Sequence, residues 1–191
     1  MPQLPTELRT PPVPPRGIAI SGIVFSVLFS FCLVLIRLAV PADPTDPGEW
    51  IADTRLGAMV RWGLNLVPFA GIVFLWFIAT LRNRVGLLED QFFASVFLGS
   101  GLLFVALLFA SAAVAHATLE SVAEGRITAQ GDAYVVARRL SHTLMNTFGI
   151  KMAAVFVFVT STIGLRTAFL PRWLAFTGFV IGLVLLLVIT S

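Results

Sequence analysis

From Gln91 to Ala115 the chain reads QFFASVFLGSGLLFVALLFASAAVA, 25 residues without a charge. A helix needs about 20 apolar residues to cross the hydrocarbon core of a bilayer. A helix apolar on every side has no place at a water-exposed surface. The run is therefore predicted to span a membrane, and the rest of the chain must fit around it. Glu89 and Asp90 precede it, and His116 and Glu120 follow it. Composition agrees: 58% of the 191 residues are hydrophobic, 12% are charged, and the mean hydropathy is +0.94. The charged share is about half that of an ordinary soluble domain.

Four further runs of similar character give an all-α bundle of five transmembrane helices. The expected spans are about 17–40, 60–81, 91–118, 143–169 and 173–190, forming one membrane domain over residues 17–191. Residues 1–16, MPQLPTELRTPPVPPR, are too rich in proline for a regular helix and too polar for a core. They are expected to form a disordered cytoplasmic tail. The first apolar run is long for a signal peptide and lacks a following A-x-A site, so it is read as a spanning helix. Pro41 to Trp50, PADPTDPGEW, reads as a loop. In the second span Pro68 is expected to kink the helix, with Asn65 satisfying freed backbone groups. The fourth helical pattern begins at Ala133, but only from about Met145 is it apolar enough for lipid. It is expected to protrude, or to bend near Gly149.

Net charge is +3, yet the basic residues stand singly or in pairs at helix ends, which argues against nucleic acid as a partner. The bilayer is the expected partner, with other membrane proteins or a second copy of the chain beside it. Twelve of the thirteen basic residues are arginine, a feature of GC-rich bacterial genomes, so the bacterial cytoplasmic membrane is the expected location. The lone Cys32 allows no disulfide within the chain and no cysteine metal motif.

In the central run Ser95, Gly99, Ala106, Ala110, Ala113 and Ala117 recur at three- and four-residue spacings or their multiples. Small residues let helices approach closely in lipid. This stripe is expected to make span three the packing centre of the bundle. Phenylalanines, 17 in all, are expected to face lipid.

Unusual polar residues gather toward one end. Arg61, Asn65, His116, Glu120 and Lys151 are expected to converge in a polar pocket, because ionisable groups at membrane depth usually face the bundle interior or water. Imidazole and carboxylate suit several first-row metals, which makes His116, His142, Glu120 and Glu124 the metal candidates. A bis-histidine haem would use the two histidines. Neither H-x-x-x-H nor E-x-x-H occurs, so no cofactor is assigned. No nucleophile triad or phosphate loop is present either, and an enzyme is the least favoured class. The leading expectation is a non-enzymatic membrane protein that binds a partner or helps assemble a complex. The alternative is binding or transport of a small anionic or lipid-like solute through an outer-leaflet pocket.

Loop charges predict orientation. With the N-terminus inside, Arg9, Arg16, Arg82, Arg84, Arg166 and Arg172 lie on the inner side, and most acidic loop residues lie outside. Reporter fusions after Arg84 and after Arg126 should therefore report the inner and outer sides respectively. The same side for both would contradict the span count.

Overall fold

A computed structural model of the chain describes residues 15–41, 48–85, 91–167 and 170–187. Residues 1–14 of the proposed 1–16 tail, most of the 41–50 loop, the link at 86–90, residues 168–169 and residues 188–191 lie outside the described residues; Pro15 and Arg16 belong to the first helix rather than to a disordered tail. Among the described residues every element is helical. In order they are α1 (Pro15–Ala39), a 3-10 turn (Glu49–Ala52), α2 (Thr54–Val85), α3 (Gln91–Ala123), α4 (Asp132–His142), a π-helical segment (Thr143–Gly149), α5 (Ile150–Arg166) and α6 (Arg172–Leu187). The stretch from α4 through α5 is one continuous helix. Four helices are long and apolar enough to cross a membrane, and α6 is shorter. The count of five spans is therefore approximate.

The helices overrun the predicted spans. At about 1.5 Å per residue, the 32 residues of α2 and the 33 of α3 each reach roughly 50 Å, against a hydrocarbon core of about 30 Å. Both must project beyond the apolar layer. Their polar ends are stabilised locally. Asp53 caps α2, its Oδ1 accepting from the backbone N–H of Arg55 at 2.8 Å and of Leu56 at 3.2 Å. Helix α2 runs through Pro68 without ending. Gly131 occupies the N-cap of α4, and Asp132 is the first helical residue, where its charge favours the helix dipole.

Packing is sequential: α1 on α2, α2 on α3, α3 on both α4 and α5, and α6 on α5. Helix α3 is central, as expected, but the stripe does not make it so. Ala106, Ala110, Ala113, Ala117 and Ser95 are exposed, and a Cβ added at Gly99 would meet nothing within 4 Å. The buried face of α3 is instead Phe97, Ser100, Gly101, Phe104, Val105, Leu108, Ser111 and Leu119. That face has the same three- and four-residue spacing, half a turn away. It wins inside the chain because Phe97 and Phe104 offer far more contact area than alanines do.

Phenylalanine is therefore not only lipid-facing bulk. Phe74 of α2 lies 4.5 Å from Phe25 of α1, 5.4 Å from Phe104 of α3 and 5.1 Å from Phe156 of α5, ring centre to ring centre. Phe97 stacks obliquely on Phe156 at 4.9 Å. Gly101 allows this approach: a Cβ there would come within 2.6 Å of Ile78 Cδ1 and 3.1 Å of the Phe156 ring.

Gly99 and Gly101 thus form a matched pair on opposite faces of one helix. Gly101→Leu should cost about 1–3 kcal/mol by overpacking. Gly99→Leu should be neutral or slightly stabilising, because leucine is the better helix former. Thermal unfolding in detergent reads the difference, and equal destabilisation by both would contradict the assigned faces.

Candidate functional site

The expected pocket does not assemble. Arg61 and Glu120 do meet, with Nε to Oε1 at 3.9 Å, but both side chains are nearly half exposed. Such a pair contributes little. Asn65 is exposed on α2, and it makes no hydrogen bond with any described residue. His116 is half-buried beside this pair in sequence. Lys151 points elsewhere: its Nζ donates to the backbone oxygen of Leu186 at 2.7 Å. The 16 residues of α6 reach only about 24 Å. The contact ties the start of α5 to the last described turn of α6, where a cation favours the helix dipole.

The metal candidates are likewise scattered. Glu124 pairs with Arg126 at 2.8 Å. Among the described residues no three His, Cys, Asp or Glu side chains could hold a metal ion together. His142 lines a cleft among α1 to α4 and His116 does not, so the two histidines do not share that space for haem.

That cleft has a volume of about 690 Å³. Helices α2 and α3 form its floor through Val60, Leu64, Val67, Leu108, Ala112 and Ala115. One side wall is α1, with Phe29, Cys32, Leu33, Ile36 and Arg37; the other is α4 and the π segment, with Tyr134, Arg138, His142, Met145 and Asn146. This shape follows from the packing order, since α1 rests on α2 and α4 rests on α3. Most of the described lining is apolar, and Arg37 and Arg138 are the arginines among the described lining residues.

Three features hold the α4 wall. Ser111 and Ser141 bond reciprocally across α3 and α4: Ser111 Oγ donates to Ser141 O at 2.8 Å, and Ser141 Oγ donates to Ser111 O at 3.0 Å. In an apolar setting such bonds replace water that is not there. They fall just before the π segment, where the ladder shifts from i→i+4 to i→i+5, as in the Ile150 N–H to Met145 O bond. At the end of the cleft, Arg138 Nη1 donates to Tyr134 Oη at 3.0 Å and Nη2 donates to Pro41 O at 3.2 Å, tying α4 to the end of α1. Tyr134 is 2% exposed, and Gly48 packs directly on its hydroxyl: a Cβ at Gly48 would lie 2.6 Å from it. Gly48 also needs its glycine for backbone reasons, with φ at 81°.

Trp50 also lines the cleft, and its Nε1 is buried without a hydrogen-bond partner among the described residues. A second space of about 510 Å³ lies between the first turns of α2, at Gly57 and Arg61, the last turns of α3, and Thr128 and Gln130.

Sequence reasoning placed His142 and Asn146 together on the outer half of the fourth helix but missed Arg37, Trp50, Ser111, Tyr134, Arg138 and Ser141 as their neighbours. A usable signal existed. Tyr134, Arg138, His142 and Asn146 recur every four residues, which marks one face of a helix. The helix is expected from Ala133, but starting the fourth span near residue 143 left the first half of that face protruding from the bilayer rather than packed on α3. The chain matches no known family, and no curated protein or solved structure is similar to it.

Trp50→Phe tests the indole. It keeps an aromatic ring and removes a donor that has no acceptor, so it should change stability by no more than about 1 kcal/mol. Trp50→Ala should cost several times that through the lost packing. Thermal unfolding that shows equal losses for the two would mean the N–H has a partner.

Proposed function

We propose that this chain is a non-catalytic membrane protein that binds a lipid-like amphiphile in the cleft among α1 to α4. The single observation that carries the reading is the character of that cleft. It is an apolar trough that runs between helices and ends at Arg37 and Arg138. Ligand sites are commonly apolar with a few placed polar groups, and about 300–1,000 Å³ in volume. The trough suits a hydrocarbon tail, and its polar end suits a head with hydrogen-bond acceptors. Membership of the bacterial cytoplasmic membrane and an inside N-terminus belong to the same reading, and they put the head-binding end toward the outer leaflet.

A second reading has its own support. The exposed small-residue face of α3, from Ser95 to Ala117, favours close approach of a partner helix. Partner binding or complex assembly would use that face and leave the cleft intact.

The cleft reading is tested by filling it. Ala112→Trp places a bulky ring on the floor, and Ala110→Trp places the same ring on the exposed face two residues earlier. Binding of a fluorescent long-chain amphiphile to the purified protein in neutral detergent should weaken at least tenfold in the first variant and stay unchanged in the second. Unchanged binding in both would reject the cleft.

A further inference from the structure

We infer that the cleft holds one acyl chain of a two-chain membrane lipid from a single leaflet, and that Phe29 sets how deep the chain can go. The inference rests on the cleft reading above and adds the class of ligand, its depth and its route of entry. Counted along each helix, the lining residues farthest from the Arg138 end are Phe29 of α1, Val67 of α2, Leu108 of α3 and Asn146 of the π segment. Three of these four are apolar. Phe29 meets Phe104 edge-on at 6.1 Å, and Phe104 meets Phe74 at 5.4 Å. The aromatic contact near the middle of the bundle therefore closes the trough at that end. On α1 the lining runs from Phe29 to Val40, and on α3 from Leu108 to Leu119. At about 1.5 Å per residue each stretch is roughly 16 Å long, against about 15 Å for half of a hydrocarbon core. The trough is thus one leaflet deep. It is also open along its side. Helix α1 rests on α2 and α4 rests on α3, with no comparable packing of α1 on α4 among the described residues. Leu33 lines the trough and is still 47% exposed, so an apolar rim faces the surrounding lipid. A chain can enter sideways while its head and its sister chain keep their places in the bilayer. Carbon–carbon bonds of about 1.5 Å advance an extended chain by about 1.3 Å each, so about 13 carbons reach from the open end to Phe29.

The bland alternative is that bilayer lipids wet this groove as they wet any apolar face of a membrane protein. Chain length separates the two. Didecanoyl, dilauroyl, dimyristoyl and dipalmitoyl phosphatidylcholine share one neutral head; they are competed on the full chain in neutral detergent and read by native mass spectrometry. Wild-type binding should rise from didecanoyl to dimyristoyl and then level, because carbons beyond the end wall find no atoms to pack against. Phe29→Ala should open the end and raise the ratio of dipalmitoyl to dilauroyl binding by about threefold. Phe29→Leu, a milder loss of bulk, should raise it less. Phe25→Ala is the control: Phe25 packs on Phe29 at 5.3 Å and on Phe74 at 4.5 Å but is not among the described lining residues, so the ratio should not change. An equal shift in Phe25→Ala overturns the inference, because a loosened bundle would then be the cause. An unchanged ratio in both Phe29 variants overturns it too, as does wild-type binding that climbs steadily through dipalmitoyl. In these cases the cleft reading stands if Ala112→Trp still weakens binding; binding that Ala112→Trp leaves untouched overturns the cleft reading itself. Single-chain myristoyl lysophosphatidylcholine reports the side opening. Binding equal to or weaker than that of dimyristoyl phosphatidylcholine supports entry from the bilayer, and binding tighter by about tenfold overturns it in favour of a free single-chain amphiphile.

Discussion

The bundle depends on the contact of the Phe74 ring with Phe25, Phe104 and Phe156. In lipid there is no gain from hiding apolar surface from water, because the surroundings are as apolar as the side chains. Helices associate there through dense packing and a few internal hydrogen bonds. One ring touching three other helices is an economical way to obtain that density, since dispersion scales with the number of close atoms. Phe74 also sets the order of the helices. It joins α1, α3 and α5 to α2 near the middle of the bundle, and everything toward the Arg138 end is free to splay around the cleft.

The fold class was legible because uncharged runs of 20 or more residues allow little else. The direction in which α3 faces was not. Its two candidate faces, one of Ser95, Ala106 and Ala113, the other of Phe97, Phe104 and Ser111, have the same period and differ only in phase. Periodicity fixes a spacing and leaves the phase to neighbouring helices. Small residues argued for one phase, yet the buried face carries its own small residues at Ser100, Gly101 and Ser111. They supply close approach where it is needed, beside aromatic bulk, and the alanine face stays outside.

The polar site was misplaced for a related reason. Arg61, Asn65, His116 and Lys151 were grouped by depth along their helices, and depth says nothing about rotation around the axis. Arg61 and Glu120 share a depth and a side, so that pair was found. Lys151 does not share that side, because it sits on the side of α5 that meets α6, where its Nζ donates to the backbone oxygen of Leu186. The cleft residues escaped because α4 looks amphipathic and soluble when read alone. Only the Ser111–Ser141 bonds show how such a segment is drawn against α3.

Those bonds also account for the persistence of the cleft. A helix on either side of an apolar trough would close it by dispersion if nothing held the walls. Here α1 is held on α2 by packing toward the Phe74 end, and α4 is held on α3 by paired hydroxyls that have no water to turn to. Along the trough the two walls are thus each fixed to the floor, and the π segment absorbs the mismatch between the α4 and α5 portions of one continuous helix. At the open end Arg138 spans from α4 to Pro41, which sets the separation of the walls at the length of one arginine side chain.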